Sequence, residues 1–199
     1  AGQTFQLGRY ATHIHTVGQP SQKTNGGSDQ SGSLIYGNAF HHSFNRGLTA
    51  HACHNLTVTR NVAYNVLGHQ FFIEDGVETR NNYTENVGLM AHRSFSLLNT
   101  DQTPANFWIT NPNNDFVRNR AVGSHGFGFW FDTFTHPSGP SSDSSVWSMW
   151  VMRTPASVAP TLATRSCRAA MVSIMSRTVT LSQLWVRFPG SPWRMLALD

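Results

Sequence analysis

Residues 71–74 read FFIE, residues 107–110 read FWIT and residues 129–132 read FWFD. Each is a bulky apolar residue, an aromatic one, a second bulky apolar residue and a polar end. The same slot is filled by THIH at 12–15 and LTAH at 48–51, so five copies occur at intervals of 36, 23, 36 and 22 residues. Between them, short alternating runs end in an asparagine-containing turn: SLIYGN (33–38), LTVTRN (56–61), VETRNN (77–82) and DFVRNR (115–120). The short interval describes a bare coil, and the long one the same coil with a loop added. Two polar stretches punctuated by Gly, Pro and Asn, GQPSQKTNGGSDQSG (18–32) and roughly RSFSLLNTDQTPA (93–105), supply those loops.

A period of this size, made of short strands and Asn/Gly turns without helical periodicity, predicts an all-β chain. The expected fold is a right-handed parallel β-helix of about five coils with an irregular C-terminal tail. Stacked coils lie about 4.8 Å apart, so equivalent residues form columns. Asn38, Asn61, Asn81 and Asn119 are then expected to hydrogen-bond up the solenoid as a ladder. A sandwich or barrel would not repeat its register in this way, and a propeller would need about twice the period.

Alternate residues of a strand face opposite ways. Positions one and three of the slot (Thr12 and Ile14, Leu48 and Ala50, Phe71 and Ile73, Phe107 and Ile109, Phe129 and Phe131) are mostly apolar and are expected in the bore. Positions two and four point outward, giving one column of His13, Thr49, Phe72, Trp108 and Trp130 and a second of His15, His51, Glu74, Thr110 and Asp132. Outward aromatics beside carboxylates and imidazoles suit a sugar chain, whose C–H faces lie on aromatic rings while polar groups hold its hydroxyls. Phe72, Trp108, Trp130, His13 and His15 are thus the candidate substrate-binding residues. The competing reading has these aromatics covered by loops, by the tail or by a neighbouring domain.

Charge divides the chain. Residues 1–143 carry eight Lys or Arg against nine Asp or Glu, whereas residues 144–199 carry six Arg against Asp199 alone. The second part also lacks His, Asn, Lys, Glu and Tyr. The expected division is therefore a β-helix repeat segment at 1–143 and a tail at 144–199. The tail is either an out-of-frame translation or a genuine Arg/Ser/Met/Trp-rich extension, disordered or not. Because the basic surplus sits in scattered tail arginines, no nucleic-acid partner is expected. No run of about 18 apolar residues occurs, so no membrane contact is expected within the segment. The opening AGQTFQLGRY has no signal-peptide form, and the chain reads as one that starts in mid-fold. Cys53 and Cys167 match no zinc or redox spacing. Asn55-Leu56-Thr57 and Asn82-Tyr83-Thr84 are glycosylation sequons.

GRYATHIHTVG (8–18), FNRGLTAHACHNLTVTRNVAYNVLGHQFFIEDGVE (44–78) and FWITNPNNDFVRNRAVGSHGFGFWFDTFTHPSGPS (107–141) resemble the β-helix region of the fibrocystin-like proteins. They are similar also to the related cell-migration-inducing and transmembrane hyaluronidases. The resemblance covers about residues 1–142. It implies an extracellular or cell-surface location, other domains of a parent chain as partners, and hyaluronan or another glycan as ligand.

Two functions follow as expectations: a glycan-binding scaffold, or a polysaccharide-degrading glycoside hydrolase using Glu74 and Asp132. Glycosidases pair two carboxyl groups about 5 Å apart when retaining and about 6.5–9.5 Å apart when inverting. Two coils separate Glu74 from Asp132 by roughly 10 Å. Asp75, next in sequence to Glu74, is expected to cap the turn at Gly76. Elimination on uronic acids would instead use His51 or His15 as base, with Arg46 or Arg9 neutralising the substrate carboxylate. No motif demands a cofactor. His13, His15 and His51 nevertheless have a spacing that could ligate a transition metal, and Glu74, Asp75 and Glu78 are a sparser oxygen set for calcium. GFGFWF lacks the lysine and the following helix of a phosphate loop.

Overall fold

A computed structural model describes residues 10–15, 23–24, 27–95, 99–111, 113–132, 137–142, 184–187 and 194–196. The regular elements among the described residues are β-strands apart from two short 3-10 turns, at Asn99–Gln102 and Gly139–Ser141. The first sheet runs in the order β1 (Thr12–His15), β6 (Leu48–His51), β10 (Phe71–Ile73), β13 (Ala105–Ile109), β16 (Phe127–Asp132), β17 (Leu184–Arg187) and β18 (Arg194–Leu196). Its first six strands pair in parallel, and only β18 is antiparallel to its neighbour. Two further parallel sheets complete the coils. One contains β4 (Leu34–Tyr36), β8 (Thr57–Thr59), β11 (Asn82–Thr84) and β14 (Asp115–Val117). The other contains β5 (Ala39–His41), β9 (Val62–Leu67), β12 (Val87–His92) and β15 (Arg120–Ser124). Strands far apart in sequence and parallel in space, with short corners between three sheets, are the architecture of a parallel β-helix.

The repeated slot is the first sheet. Thr12 pairs with Leu48, Leu48 with Phe71, Phe71 with Phe107, and Phe107 with Phe129. The rings of Phe71, Phe107 and Phe129 stack at 4.8 and 4.7 Å in the bore. Ala50, Ile73, Ile109 and Phe131 join the same buried cluster, closed on its far side by Val58, Tyr83 and Phe116. Burial of these side chains supplies the main driving force for stacking, at roughly 25 cal/mol per Å² of apolar surface.

The asparagine ladder exists, with one rung corrected. Asn38 Nδ2 donates to Asn61 Oδ1, Asn61 Nδ2 to Asn86 Oδ1, and Asn86 Nδ2 to Asn119 Oδ1, at 3.1, 2.9 and 3.0 Å. Asn86, not Asn81, stands between Asn61 and Asn119. Asn81 belongs to a second ladder one corner earlier, donating to Asn114 Oδ1 and accepting from the Leu56 N–H. Asparagine suits these corners because its amide satisfies backbone groups that a corner takes out of the sheet: the Nδ2 atoms of Asn61 and Asn86 also donate to the carbonyls of Ile35 and Val58.

Neither expected loop is a plain surface excursion. Residues 18–32 contain the hairpin β2 (Lys23–Thr24) and β3 (Gly27–Asp29), and β3 runs parallel to β7 (Cys53–His54). The second loop delivers Asp101 to a fully buried position. Gly47 shows how closely the coils approach: a Cβ there would lie 2.6 Å from the Gln70 carbonyl oxygen. Residues 143–183, which hold the expected tail boundary and Cys167, lie outside the described residues.

Candidate functional site

The site grows from the first three strands of the first sheet. Parallel pairing in register sets His13 beside Thr49 and His15 beside His51. Glu74 follows β10, and its backbone N–H donates to the Ala50 carbonyl, which carries it into the same corner. Three imidazoles and a carboxylate therefore converge from three coils. Ring centroids are 5.0 Å apart for His13 and His15, 4.3 Å for His15 and His51, and 5.8 Å for His13 and His51. Glu74 Oε2 lies 3.4 Å from His51 Nδ1 and 3.9 Å from His13 Nε2. His15 is exposed, His13 and Glu74 are partly so, and His51 is buried.

Beneath this mouth is a buried charge network. His51 Nε2 is 2.7 Å from Asp75 Oδ2. Burial alone would lower the His51 pKa, but the Asp75 hydrogen bond and the fields of Glu74, Asp75 and Glu78 outweigh it and raise the value above 6.5. Arg46 is fully buried, with Nη1 3.5 Å from Glu74 Oε1, and Nε and Nη2 each 3.3 Å from Asp101. Its guanidinium also lies 3.7 Å above the Phe72 ring and 4.6 Å from that of Tyr10. His69 is buried against Asp101, Phe72 and Trp108. Its Nδ1 accepts from the Ala105 N–H at 3.0 Å, which requires an unprotonated Nδ1, and full burial holds its pKa down at about 3.

Several expectations are corrected here. Phe72 and Trp108 occupy the anticipated column but are each only 4% exposed. Arg46 and His69 lie on them, so they offer no open stacking face. Trp130, stacked 5.2 Å from Trp108, is partly exposed. His51 and Thr110 are buried in a row expected to face solvent, while Asp132 is partly exposed. Arg46 is committed to Asp101 and Glu74 and is not turned outward toward a substrate carboxylate. Glu74 and Asp132 are not drawn together: Glu74 contacts Arg46, His13 and His51, and Asp132 ends β16, two strands further along the sheet.

Asp75 orients His51. The Gly76 turn is held by Glu78, which accepts from the N–H groups of Ala52, Asp75 and Gly76 at 2.8, 3.2 and 2.8 Å. Desolvation raises the Glu78 pKa to about 7 despite these donors. Its oxygens are therefore aimed at backbone donors and do not converge with Glu74 as a calcium set would. Of the sequons, Asn82 is exposed on β11, and Asn55 Oδ1 accepts from Arg80 Nε at 3.0 Å. Arg9 lies outside the described residues.

Sequence reasoning missed Asp101 and His69. The only signal was weak: an acidic residue in an otherwise polar loop, and a histidine just before FFIE.

A family model described as the CEMIP beta-helix matches residues 1–161. Mouse Fibrocystin-L is 46% identical over 140 residues, which cover 70% of this chain and 3% of that protein. Human Cell surface hyaluronidase CEMIP2 is 33% identical over 159 residues, covering 67% of this chain and 11% of the relative. The human Cell migration-inducing and hyaluronan-binding protein shows the same identity and coverage. The chain thus spans only a small part of the length of these relatives.

Proposed function

Because the chain belongs to the CEMIP beta-helix family, we propose that it serves an extracellular or cell-surface protein as a β-helix scaffold whose first sheet binds a glycan of the hyaluronan type. The observation that carries this reading is the held but accessible Glu74. Arg46 holds its Oε1, Oε2 faces His51, and the side chain as a whole is 18% exposed, beside exposed His15 and partly exposed His13. Such a row offers hydrogen-bonding partners to sugar hydroxyls, and the Arg46 guanidinium tempers its negative charge toward a uronic acid. Trp130 and Asp132 extend the polar and aromatic face along the strands. The relatives' names, one a hyaluronidase and one hyaluronan-binding, agree with this ligand class. If the parent chain is secreted, Asn82 is the sequon placed to carry a glycan.

A second reading, a polysaccharide-degrading glycoside hydrolase, draws support from the Asp75–His51–Glu74 array. There Asp75 orients an imidazole whose other nitrogen faces a carboxylate, an arrangement suited to proton transfer. Asp132, the second carboxylate of that reading, stands about 10 Å away along the sheet axis, just beyond the inverting range of roughly 6.5–9.5 Å.

The full chain should be mixed with size-defined hyaluronan and run against its own variants. Retardation without shortening, weakened by Trp130→Ala, supports the scaffold. Shortening that disappears in Glu74→Gln and Asp132→Asn supports the hydrolase. A folded chain that neither retards nor shortens the polymer removes both.

A further inference from the structure

We propose that His13, His15 and His51, completed by Glu74, bind one transition-metal ion, with zinc the best fit. One ligand atom from each histidine lies within 4.8 Å of the other two. The arrangement follows from the backbone: His13 and His15 share the outer face of β1, and strand pairing sets His51 directly beside His15. Glu74 Oε2, buried and without a hydrogen-bond partner, is aimed into the same corner.

The second, independent observation is Asp75. In sites where histidine ligates a metal, the ring nitrogen away from the metal almost always donates to a carboxylate or carbonyl, which fixes tautomer and orientation. His51 does this at 2.7 Å through Nε2, leaving the Nδ1 lone pair toward Glu74. Charge agrees as well. Glu74 and Asp101 flank the guanidinium of Arg46 and Asp75 lies against His51, so three carboxylates meet one guanidinium in the network, and a divalent cation would balance them.

The donor set selects the ion. Three imidazoles and one carboxylate suit zinc or a neighbouring first-row ion, whereas calcium and magnesium want all-oxygen shells. Tetrahedral zinc with bonds of about 2.0–2.1 Å places its ligands about 3.3 Å apart. The present spacings of 3.4 to 4.8 Å need only modest side-chain rotation, easiest at exposed His15. The bound ion would tie β1 to β6 and to the residue following β10, cross-linking three coils. This inference does not depend on glycan binding.

The test uses the full chain freed of metal by chelator. Calorimetric titration with Zn²⁺, and Co²⁺ titration followed by visible absorption, should show one ion per chain. His15→Ala should abolish tight binding, Asp75→Asn should weaken it by about 10–100-fold, and His41→Ala should leave it unchanged. Circular dichroism verifies that each variant is folded; His15 is exposed, so its removal leaves the core intact. X-ray absorption at the zinc edge of the wild type needs no variant and should find a first shell of imidazole nitrogens with oxygen. Absence of binding by the folded chain, undiminished binding in His15→Ala, or a zinc shell without imidazole would overturn the proposal.

Discussion

His51 donates to Asp75 across 2.7 Å although the two residues sit on different coils, 24 positions apart. The register of β6 against β10 places the imidazole there, and the turn after Ile73 brings the carboxylate beneath it. This contact couples the accessible mouth of the site to its buried floor, and the behaviour of His51 is the most direct readout of the site's electrostatics.

In metal-free protein His51 is expected to titrate above 6.5. A raised folded-state value means that its contribution to stability is complete below pH 6.5 and is lost as pH climbs through the folded pKa. Asp75→Asn should bring the titration down and cost about 2 kcal/mol, the scale of a buried hydrogen bond to a charged group. Two-dimensional NMR of the imidazole nitrogens, followed across pH, reads the shift directly. An unchanged midpoint in the variant would contradict the assignment.

His69 should make the protein acid-sensitive in a different window. Its folded pKa of about 3 lies below the ordinary 6.5, so its contribution is complete above pH 6.5 and is lost as pH falls toward 3. The expected slope is about 1.4 kcal/mol per pH unit for this one proton. Urea unfolding at a series of pH values should show that slope flattened in His69→Gln, whose amide oxygen can still accept from the Ala105 N–H.

Two charge clusters should respond to loss of their carboxylate by very different amounts. Asp101→Ala takes the two-point partner from the fully buried Arg46, leaving it only Glu74 at 3.5 Å, and should destabilise by roughly 3–5 kcal/mol. Glu85 bridges the exposed Arg60 and Arg118 at 2.8 and 2.7 Å, and Glu85→Ala should cause no measurable change in the unfolding midpoint.

The asparagine ladder should weaken from the middle more than from its end. Asn86→Ala removes the acceptor of the Asn61 amide and the donor to the Val58 carbonyl, all buried, at about 1–3 kcal/mol per stranded group. Exposed Asn38 ends the ladder, and Asn38→Ala should cost less than about 1 kcal/mol. Equal losses for the two, measured by denaturant unfolding, would remove the ladder as a source of stability.

Much of the fold could be read from the chain because its signal is periodic. The five slots THIH, LTAH, FFIE, FWIT and FWFD align in the structure as aligned in the sequence, residue for residue. The ladder was legible with one error. VETRNN offered Asn81 at the end of an alternating run, but the corner that continues Asn61 uses Asn86, because that coil carries asparagine at two corners, Asn81 and Asn86, and sequence spacing does not say which is which. The site was legible only in part. Its histidines and Glu74 fall on columns, whereas Asp101 and His69 arrive from a loop and a corner that no period governs.

What the amino-acid order determined is everything that follows from alternation along a strand and repetition between coils: the stacked Phe71, Phe107 and Phe129 in the bore, and the meeting of His13, His15, His51 and Glu74 outside it. What the tertiary structure alone decided is exposure and pairing. Alternation says which way a side chain leaves the strand and is silent on what lies above it. Phe72 and Trp108 point outward and are nonetheless buried, because Arg46 and His69 lie over them, both held by Asp101, 55 residues from Arg46 in sequence. Burial of that kind depends on the three-dimensional course of the loops, which local pattern does not encode.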